Sequence, residues 1–469
     1  TQFSSSNITG FPKWIVTSNK TANVYVYNSD GKFVSYNSSL ASEALVGTPA
    51  AGAGNGAAYY NNYIYLADPT NISRYGPLDG GAALTNSAWT TVILGSQTAI
   101  SNATYPSIKG TPIPNHAMVA HGDGALYFLD TLNGQGIVHK IKTTKYTSEG
   151  ETNDGSSYNV VDLPFSFNPT CAASWGRDLV IGAIQTTDST LNQGNAALFV
   201  WETTDTDSFY EGPIFLPDPL VTALLNVNGV IYVWSGNSTN GVRLSEYRGG
   251  RSVREIYFSE EGVPPFQGAV DSMGSRIIWG TNTTEPADSA SVVAYNSKKG
   301  ALSPAVHNII RTTSTGGTQV VTALKFVLQA DNITPQPIVG WGDASSKGID
   351  KYSSSATLNS IWRSEVIRIP TEFEIVELKI PLAKSVTDNM TVIPKLYIDE
   401  SSITNTLSTI NTTNYSGKRK VVYKASELLN SGTIKGENNF FLELTWNGTV
   451  ALPVTFPVTV TVDLFTDET

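Results

Sequence analysis

The sequence predicts an all-β protein: a β-propeller followed by a C-terminal antiparallel β-sandwich. Three observations carry this. Residues 221–258 read VTALLNVNGV IYVWSGNSTN GVRLSEYRGG RSVREIYF, an alternating apolar run up to Asn228-Gly229 followed by three further β-rich runs. Asn-Gly between β-branched and aromatic runs marks a tight hairpin, because both residues tolerate the positive φ of a primed turn. The unit then recurs along the chain at a loose spacing of roughly 45 to 65 residues, which suits a four-stranded blade with outer loops of variable length. After Tyr352 the recurrence stops, and longer strands with cleaner alternation take over.

Residues 1–10 read as a polar lead-in. The propeller is expected over residues 11–360, with seven blades around a channel and six or eight as the alternatives. Its copies pair residues 13–16 with 24–27, 62–66 with 72–75, 122–128 with 137–141, 175–182 with 197–201, 273–280 with 291–295, and 338–342 with 348–352. Each pair is expected to form the two central strands of a blade. A run of small apolar residues precedes most copies: Ala117-Met118-Val119-Ala120, Cys171-Ala172-Ala173, Val221-Thr222-Ala223-Leu224 and Ala269-Val270. Innermost strands crowd at a propeller axis, so small side chains are expected there.

Ser353-Ser354-Ser355 reads as a bridge to a sandwich at residues 361–469. There Val458, Val460, Val462 and Leu464 face one way, and Thr459, Thr461 and Asp463 the other. Val376, Leu378 and Ile380 alternate with Glu377 and Lys379. Phe373 and Ile375 have the opposite parity, which predicts a bulge between the two sets.

Composition agrees. Hydrophobic content of 40% with 15% charged residues describes an ordered, turn-rich β protein rather than a disordered one. The net charge of −10 disfavours nucleic acid as a specific partner. The most basic cluster, Lys418-Arg419-Lys420, reads as a solvated strand edge. No apolar run approaches membrane-spanning length, and no signal peptide is expected. Thr1 in place of Met reads as a processed, trimmed or unnumbered start. Cys171 is the single cysteine, so no internal disulfide forms, and its apolar neighbours place it in the core.

The chemistry-bearing residues form no recognisable catalytic motif. The histidines are His116, His121, His139 and His307. His116 and His121 flank an innermost strand and could line the axis, but five residues apart on a strand they face opposite ways, and Asp123 alone is a thin third ligand. Asp205-Thr206-Asp207 lacks the rest of a calcium loop. A glycosidase would need convergent carboxylates such as Asp123, Asp178 or Glu260. The Asp-box of sialidase propellers and the Gly-His and Trp-Asp signatures of intracellular repeat propellers are absent. Asn-x-Ser/Thr triplets at Asn7, Asn71, Asn237 and Asn411 are expected by chance in so Asn-, Ser- and Thr-rich a chain. The expectation is therefore no enzyme, no catalytic residue, no cofactor and no metal ligand.

The join Gly348-Ile349-Asp350-Lys351-Tyr352, then Ile361-Trp362-Arg363-Ser364-Glu365-Val366-Ile367, then the alternation from Glu374 to Ile380, resembles tail proteins of tailed bacteriophages. It is similar to tail nozzle and tail-tip proteins, in which a propeller runs through a Trp-x-Ser-Glu-like strand into a sandwich. The resemblance spans roughly residues 219–400. It implies a structural virion protein in a multi-copy tail, with other copies of itself and neighbouring virion proteins as partners. Host-surface glycan is a further candidate partner, and no catalytic residue carries over. The alternative is a secreted or surface propeller that binds or cleaves glycans, with an accessory sandwich.

Overall fold

The computed structural model describes residues 2–3, 7–37, 40, 42–49, 54–68, 72–79, 85–88, 107–108, 111–112, 116–132, 135–141, 143–147, 150–153, 159–185, 195–204, 209, 211–237, 241–259, 263–283, 289–296, 305–309, 320–328, 335–342, 346–351, 360–364, 366–382, 385–386, 391–399, 404–424, 435–437, 439–447 and 458–464. The chain divides into two compact units, Thr1–Tyr352 and Ser353–Thr469.

The first unit is a β-propeller. Among the described residues it holds seven four-stranded antiparallel sheets. Sheet 1 runs Pro12–Thr17, Val24–Asn28, Phe33–Tyr36 and Glu43–Gly47. Sheet 2 runs Gly56–Tyr60, Tyr63–Ala67, Ile72–Gly76 and Thr85–Ala88. Sheet 3 takes Met118–Ala120, Leu126–Leu132, Gln135–Ile141 and Asn159–Asp162. Sheet 4 takes Phe167–Trp175, Asp178–Gln185, Ala196–Glu202 and Glu211–Phe215. Sheet 5 is Val221–Val227, Val230–Asn237, Gly241–Tyr247 and Arg254–Ser259. Sheet 6 is Val270–Met273, Arg276–Thr283, Ser289–Asn296 and Ala305–Ile309. Sheet 7 contributes Val320–Leu328, Pro335–Gly342 and Lys347–Lys351. The first strand of each sheet touches the first strand of the next, and that of sheet 7 touches that of sheet 1, so the series closes on itself.

Two sequence expectations need correction here. Residues 1–10 are more than a lead-in: Gln2–Phe3 is the fourth strand of sheet 7, pairing Gln2 with Asp350 and Phe3 with Ile349. In sheet 1, residues 13–16 and 24–27 are the first and second strands, not the central two. No small-residue run precedes Pro12, because Pro12–Thr17 is itself innermost and packs its Trp14 inward, 7% exposed.

The central strands are buried on both faces, since each sheet is sandwiched between its neighbours. Val24–Asn28 and Ile72–Gly76 are buried at every position, whereas the outer strand Arg254–Ser259 is largely open. The Asn228-Gly229 turn is as expected, with φ of 54° and 82° and Val227 paired to Val230. Four innermost strands share one irregularity. The register skips Lys13, Thr170, Thr222 and Thr322 at equivalent places. Two of the freed hydroxyls tie sheets together: Thr170 donates to the Val221 carbonyl and Thr322 to the Pro12 carbonyl. The Lys13 side chain, 4% exposed, lies with its Nζ 4.8 Å from the Phe266 ring, and burial pushes its amine down to about 7.

The expected channel is crossed by the segment leading into sheet 6. Val263, Phe266 and Ala269 are buried. The Gln267 amide donates to the carbonyls of Leu224 (2.9 Å) and Ala172 (3.4 Å), and its oxygen accepts from the Leu224 amide (2.8 Å). Gly268 next to it lies against the Lys13 carbonyl, so one segment bridges the innermost strands of sheets 1, 4 and 5.

The second unit begins before residue 361, because Ser360–Arg363 already pairs with Asn439–Asn447. That strand also pairs with Thr391–Ile398 and Ile367–Arg368, and Thr404–Thr406 extends the sheet. The second sheet is built on Phe373–Pro381, with Lys420–Lys424 and Lys435–Gly436 on one side and Thr459–Leu464 on the other. One apolar core, including Phe373, Ile375, Leu378, Ile380, Leu396, Leu442 and Leu444, is shared by residues of both sheets. The expected bulge is present: the register shifts between Ile375 and Glu377, which takes Val376 off the core face. Val458, Val460 and Val462 pack on the core, but Leu464 at the strand end is 53% exposed.

Candidate functional site

The richest constellation lies where the first two strands of sheets 3, 4 and 5 turn. In sheet 4 the turn is Trp175-Gly176-Arg177-Asp178, with Trp175 paired to Asp178 and Gly176 at φ 63°. Asp178 also faces Glu202 directly across the next ladder. Two carboxylates at directly opposed positions repel; here the Arg177 guanidinium sits against Glu202 and relieves it. Trp175 is half-buried. Its indole N–H donates to the Gly229 carbonyl (2.7 Å), and its ring meets Tyr247 at 5.5 Å and 57°. Asn226 adds a second tie between the sheets, donating to the Ser174 carbonyl (2.7 Å). Trp175, Gly176, Arg177, Asp178, Glu202 and Gly229 line a groove of about 630 Å³.

Beside it lies a tighter polar cluster. His121 Nδ1 is 2.7 Å from Ser174 Oγ. Asp123 accepts from the Tyr127 hydroxyl (2.8 Å) and from Lys140 Nζ (2.9 Å). Burial alone would raise the Asp123 carboxyl, but the Lys140 and Tyr127 hydrogen bonds and the Lys140 charge more than offset it, so it lies below the usual carboxylate range. Burial, then the hydrogen bond to Asp123 and its negative charge, push the Tyr127 phenol up. Each donor here has an acceptor inside the cluster, which suits a structural clasp.

His116 does not line the axis. It is fully buried just ahead of the first strand of sheet 3, its Nδ1 3.1 Å from the Leu129 carbonyl and 3.6 Å from Asp130. His139 Nε2 approaches the other Asp130 oxygen at 3.3 Å, and its ring stacks on Phe128. Asp130 is desolvated, which raises its pKa, but the His139 hydrogen bond and the two imidazoles outweigh this and hold it low. His116 and His121 thus serve separate networks. Among the described residues no group of three or more His, Cys, Asp or Glu is arranged to hold a metal ion.

Asp123 and Asp178 sit in different clusters, and Glu260, Asp205, Asp207 and Asn71 lie outside the described residues. The His307 side chain is likewise outside them. Cys171 is buried, and desolvation pushes its thiol up to about 12. Asn411 caps the short helix Thr412–Tyr415, accepting from the Asn414 amide (3.0 Å). Lys418, Arg419 and Lys420 are exposed. Sequence reasoning missed Trp175, Arg177 and Glu202 as a group; Trp175, Arg177 and Asp178 share one hairpin turn, but Glu202 joins them only through the ladder with the third strand of sheet 4.

No protein-family model matches the sequence, and no curated protein matches it. Solved structures do. The chain is similar to the β-propeller domain of Cps50 (Swd1) from Myceliophteria thermophila, at 9% identity and a TM-score of 0.45, over 74% of this chain and 97% of that one. It is similar to U3-55K at 10% identity and a TM-score of 0.45, over 73% and 94%. A chain of the mitotic checkpoint complex matches at 11% identity and a TM-score of 0.41, over 75% and 91%. These likenesses concern fold alone. No helix among the described residues is long and apolar enough to cross a membrane.

Proposed function

We infer that this protein is an architectural, non-catalytic component of a multi-copy assembly, a virion tail, acting through protein–protein interfaces. The observation that carries the reading is the strand Thr459–Leu464. One side of it pairs with Phe373–Pro381, and among the described residues the other side pairs with nothing. Thr459 and Thr461 are exposed, and Asp463 is the one charge in the strand. A weakly charged edge of this kind is a template for another strand. In a multi-copy assembly a neighbouring copy or a neighbouring virion protein covers it. The tail setting itself rests on the resemblance of residues 219–400.

The test is a double variant, Thr459→Lys with Thr461→Lys. Both side chains point outward, so the fold should survive, while two ammonium groups oppose strand addition. Light scattering on the full chain is expected to show self-association that the variant loses at an unchanged melting temperature. A wild-type chain that stays monomeric at all concentrations, or a variant that assembles normally, would refute the reading. The virion setting is checked by mass spectrometry of purified tailed particles.

A further inference from the structure

We propose that the groove between sheets 4 and 5 binds a neutral polyhydroxylated ligand, a pyranose unit of a glycan, with Trp175 as its stacking platform. The site is in the other unit from the assembly edge and stands or falls separately from it.

The platform is built before any ligand arrives. The Trp175 N–H is held by the Gly229 carbonyl at 2.7 Å, and Tyr247 supports the ring at 5.5 Å. A rigid aromatic surface loses little conformational freedom on binding. The comparable two-residue turns in sheets 2, 5 and 6 are Asn61-Asn62, Asn228-Gly229 and Gly274-Ser275. In sheet 2 the residue at the Trp175 position is also aromatic, and the Tyr60 hydroxyl donates to the Gly124 carbonyl (2.7 Å) of the next sheet's turn; what sheet 4 adds to this recurring tie is Arg177 and Asp178 beside the ring. Trp175 keeps only part of its surface in protein contact and leaves the rest to the groove.

Asp178 and Glu202 disfavour an anion, and Arg177, set against Glu202, offsets one of the two carboxylates. What they share is the capacity to hydrogen-bond hydroxyls, the carboxylates as acceptors and the guanidinium as donor. A pyranose presents hydroxyls at its rim and a patch of C–H groups on its face, which matches this rim and the indole plane. The groove is shallow and open, so a ligand there would be held on one face and keep the other in solvent. The Arg177 side chain is 78% exposed and lies over Glu202, so it is free to swing onto a ligand at small cost.

Saturation-transfer NMR tests this on the full chain, with methyl glucoside, methyl galactoside, methyl mannoside and their disaccharides as probes. Transfer to the ring C–H protons of at least one sugar is expected, with a Kd of about 1 mM. Trp175→Ala should weaken it about tenfold, and Trp175→Phe should retain most of it. Circular dichroism checks that each variant folds. Arg177→Ala provides a second variant at an exposed position and is expected to weaken binding without altering the fold. The proposal is overturned by the absence of transfer to every probe or by a Kd that is unchanged in Trp175→Ala. It is equally overturned if an oligolysine or oligoglutamate peptide, and no sugar, occupies the groove.

Discussion

Two glycines should be sensitive to substitution for opposite reasons, and the contrast tests the propeller reading. Gly229 occupies the turn of sheet 5 at φ 82°, and a Cβ there would meet no heavy atom within 4 Å. Any cost at this position is backbone strain, about 1–2 kcal/mol for alanine and somewhat more for a β-branched residue. Asparagine, which visits the left-handed region readily, should be close to neutral. Gly56 has no such φ. A Cβ there would lie 1.8 Å from the His116 carbonyl oxygen, a backbone atom just ahead of the neighbouring innermost strand. Relief requires the first strands of sheets 2 and 3 to move apart by more than an ångström, against packing on both sides. Gly56→Ala should therefore cost at least about 3 kcal/mol, at the upper end of overpacking penalties. Urea denaturation followed by tryptophan fluorescence gives both values. The expected order is Gly56→Ala worst, Gly229→Val next, and Gly229→Asn near wild type. Gly56→Ala at wild-type stability would mean that sheets 2 and 3 do not meet through these strands. An unperturbed Gly229→Val would misplace the hairpin.

Three further outcomes follow from the core. Asp130 has its carboxyl held low in the fold, so its contribution to stability is present above its unfolded pKa of about 3.9 and is lost as pH falls through the folded value; Asp130→Asn should flatten the acid limb of a stability–pH curve, and an unchanged limb would count against the buried pair. Thr322→Val removes a buried hydroxyl that binds the Pro12 carbonyl across the closure of sheets 7 and 1, and should lower stability by about 1–3 kcal/mol in denaturant titration. The Cys171 thiol, fully buried with its pKa pushed up to about 12, should resist a disulfide reagent at pH 8 until the protein is unfolded; rapid native-state labelling would contradict its placement.

The central strands were legible because both their faces are covered. A strand buried on two sides, such as Ile72–Gly76, reads as a continuous β-rich run that stands out from its loops. The outer strands carry weaker patterns, and the copy in sheet 1 was displaced by one strand because Pro12–Thr17 is bulky where other innermost strands are small. The first strand of the chain was invisible: Gln2–Phe3 is two residues long and gains its partner only when the ring closes, some 350 residues away in sequence. The bulge at Val376 could be read because alternation in a half-buried strand records every slip of register. The groove could not be. Glu202 reaches Asp178 through ladder register, and Gly229 reaches Trp175 through the contact between sheets. The Asp130 network shows the same limit, since Asp130 and His139 meet as diagonal neighbours once Phe128 pairs with His139.

The edges of the two units obey one rule in opposite ways. The outer strand of sheet 4, Glu211–Phe215, carries Glu211 and Pro213, and proline leaves no amide to donate. The outer strand of sheet 5 carries Arg254 and Glu255, engaged with Glu246 and Arg243 of the strand beside it. Charges and prolines at an edge discourage a further strand, so these propeller edges are protected. Thr459–Leu464 has neither device among its exposed positions beyond Asp463, and it ends on the exposed Leu464. If the chain tolerated this edge by chance, lysines at 459 and 461 would merely make it resemble the propeller's edges and change no property of the protein. If the edge is kept open for a partner, the same two lysines cost the protein its assembly while leaving the Trp175 groove and the fold intact. The separation of those two readouts distinguishes an interface from an unguarded strand.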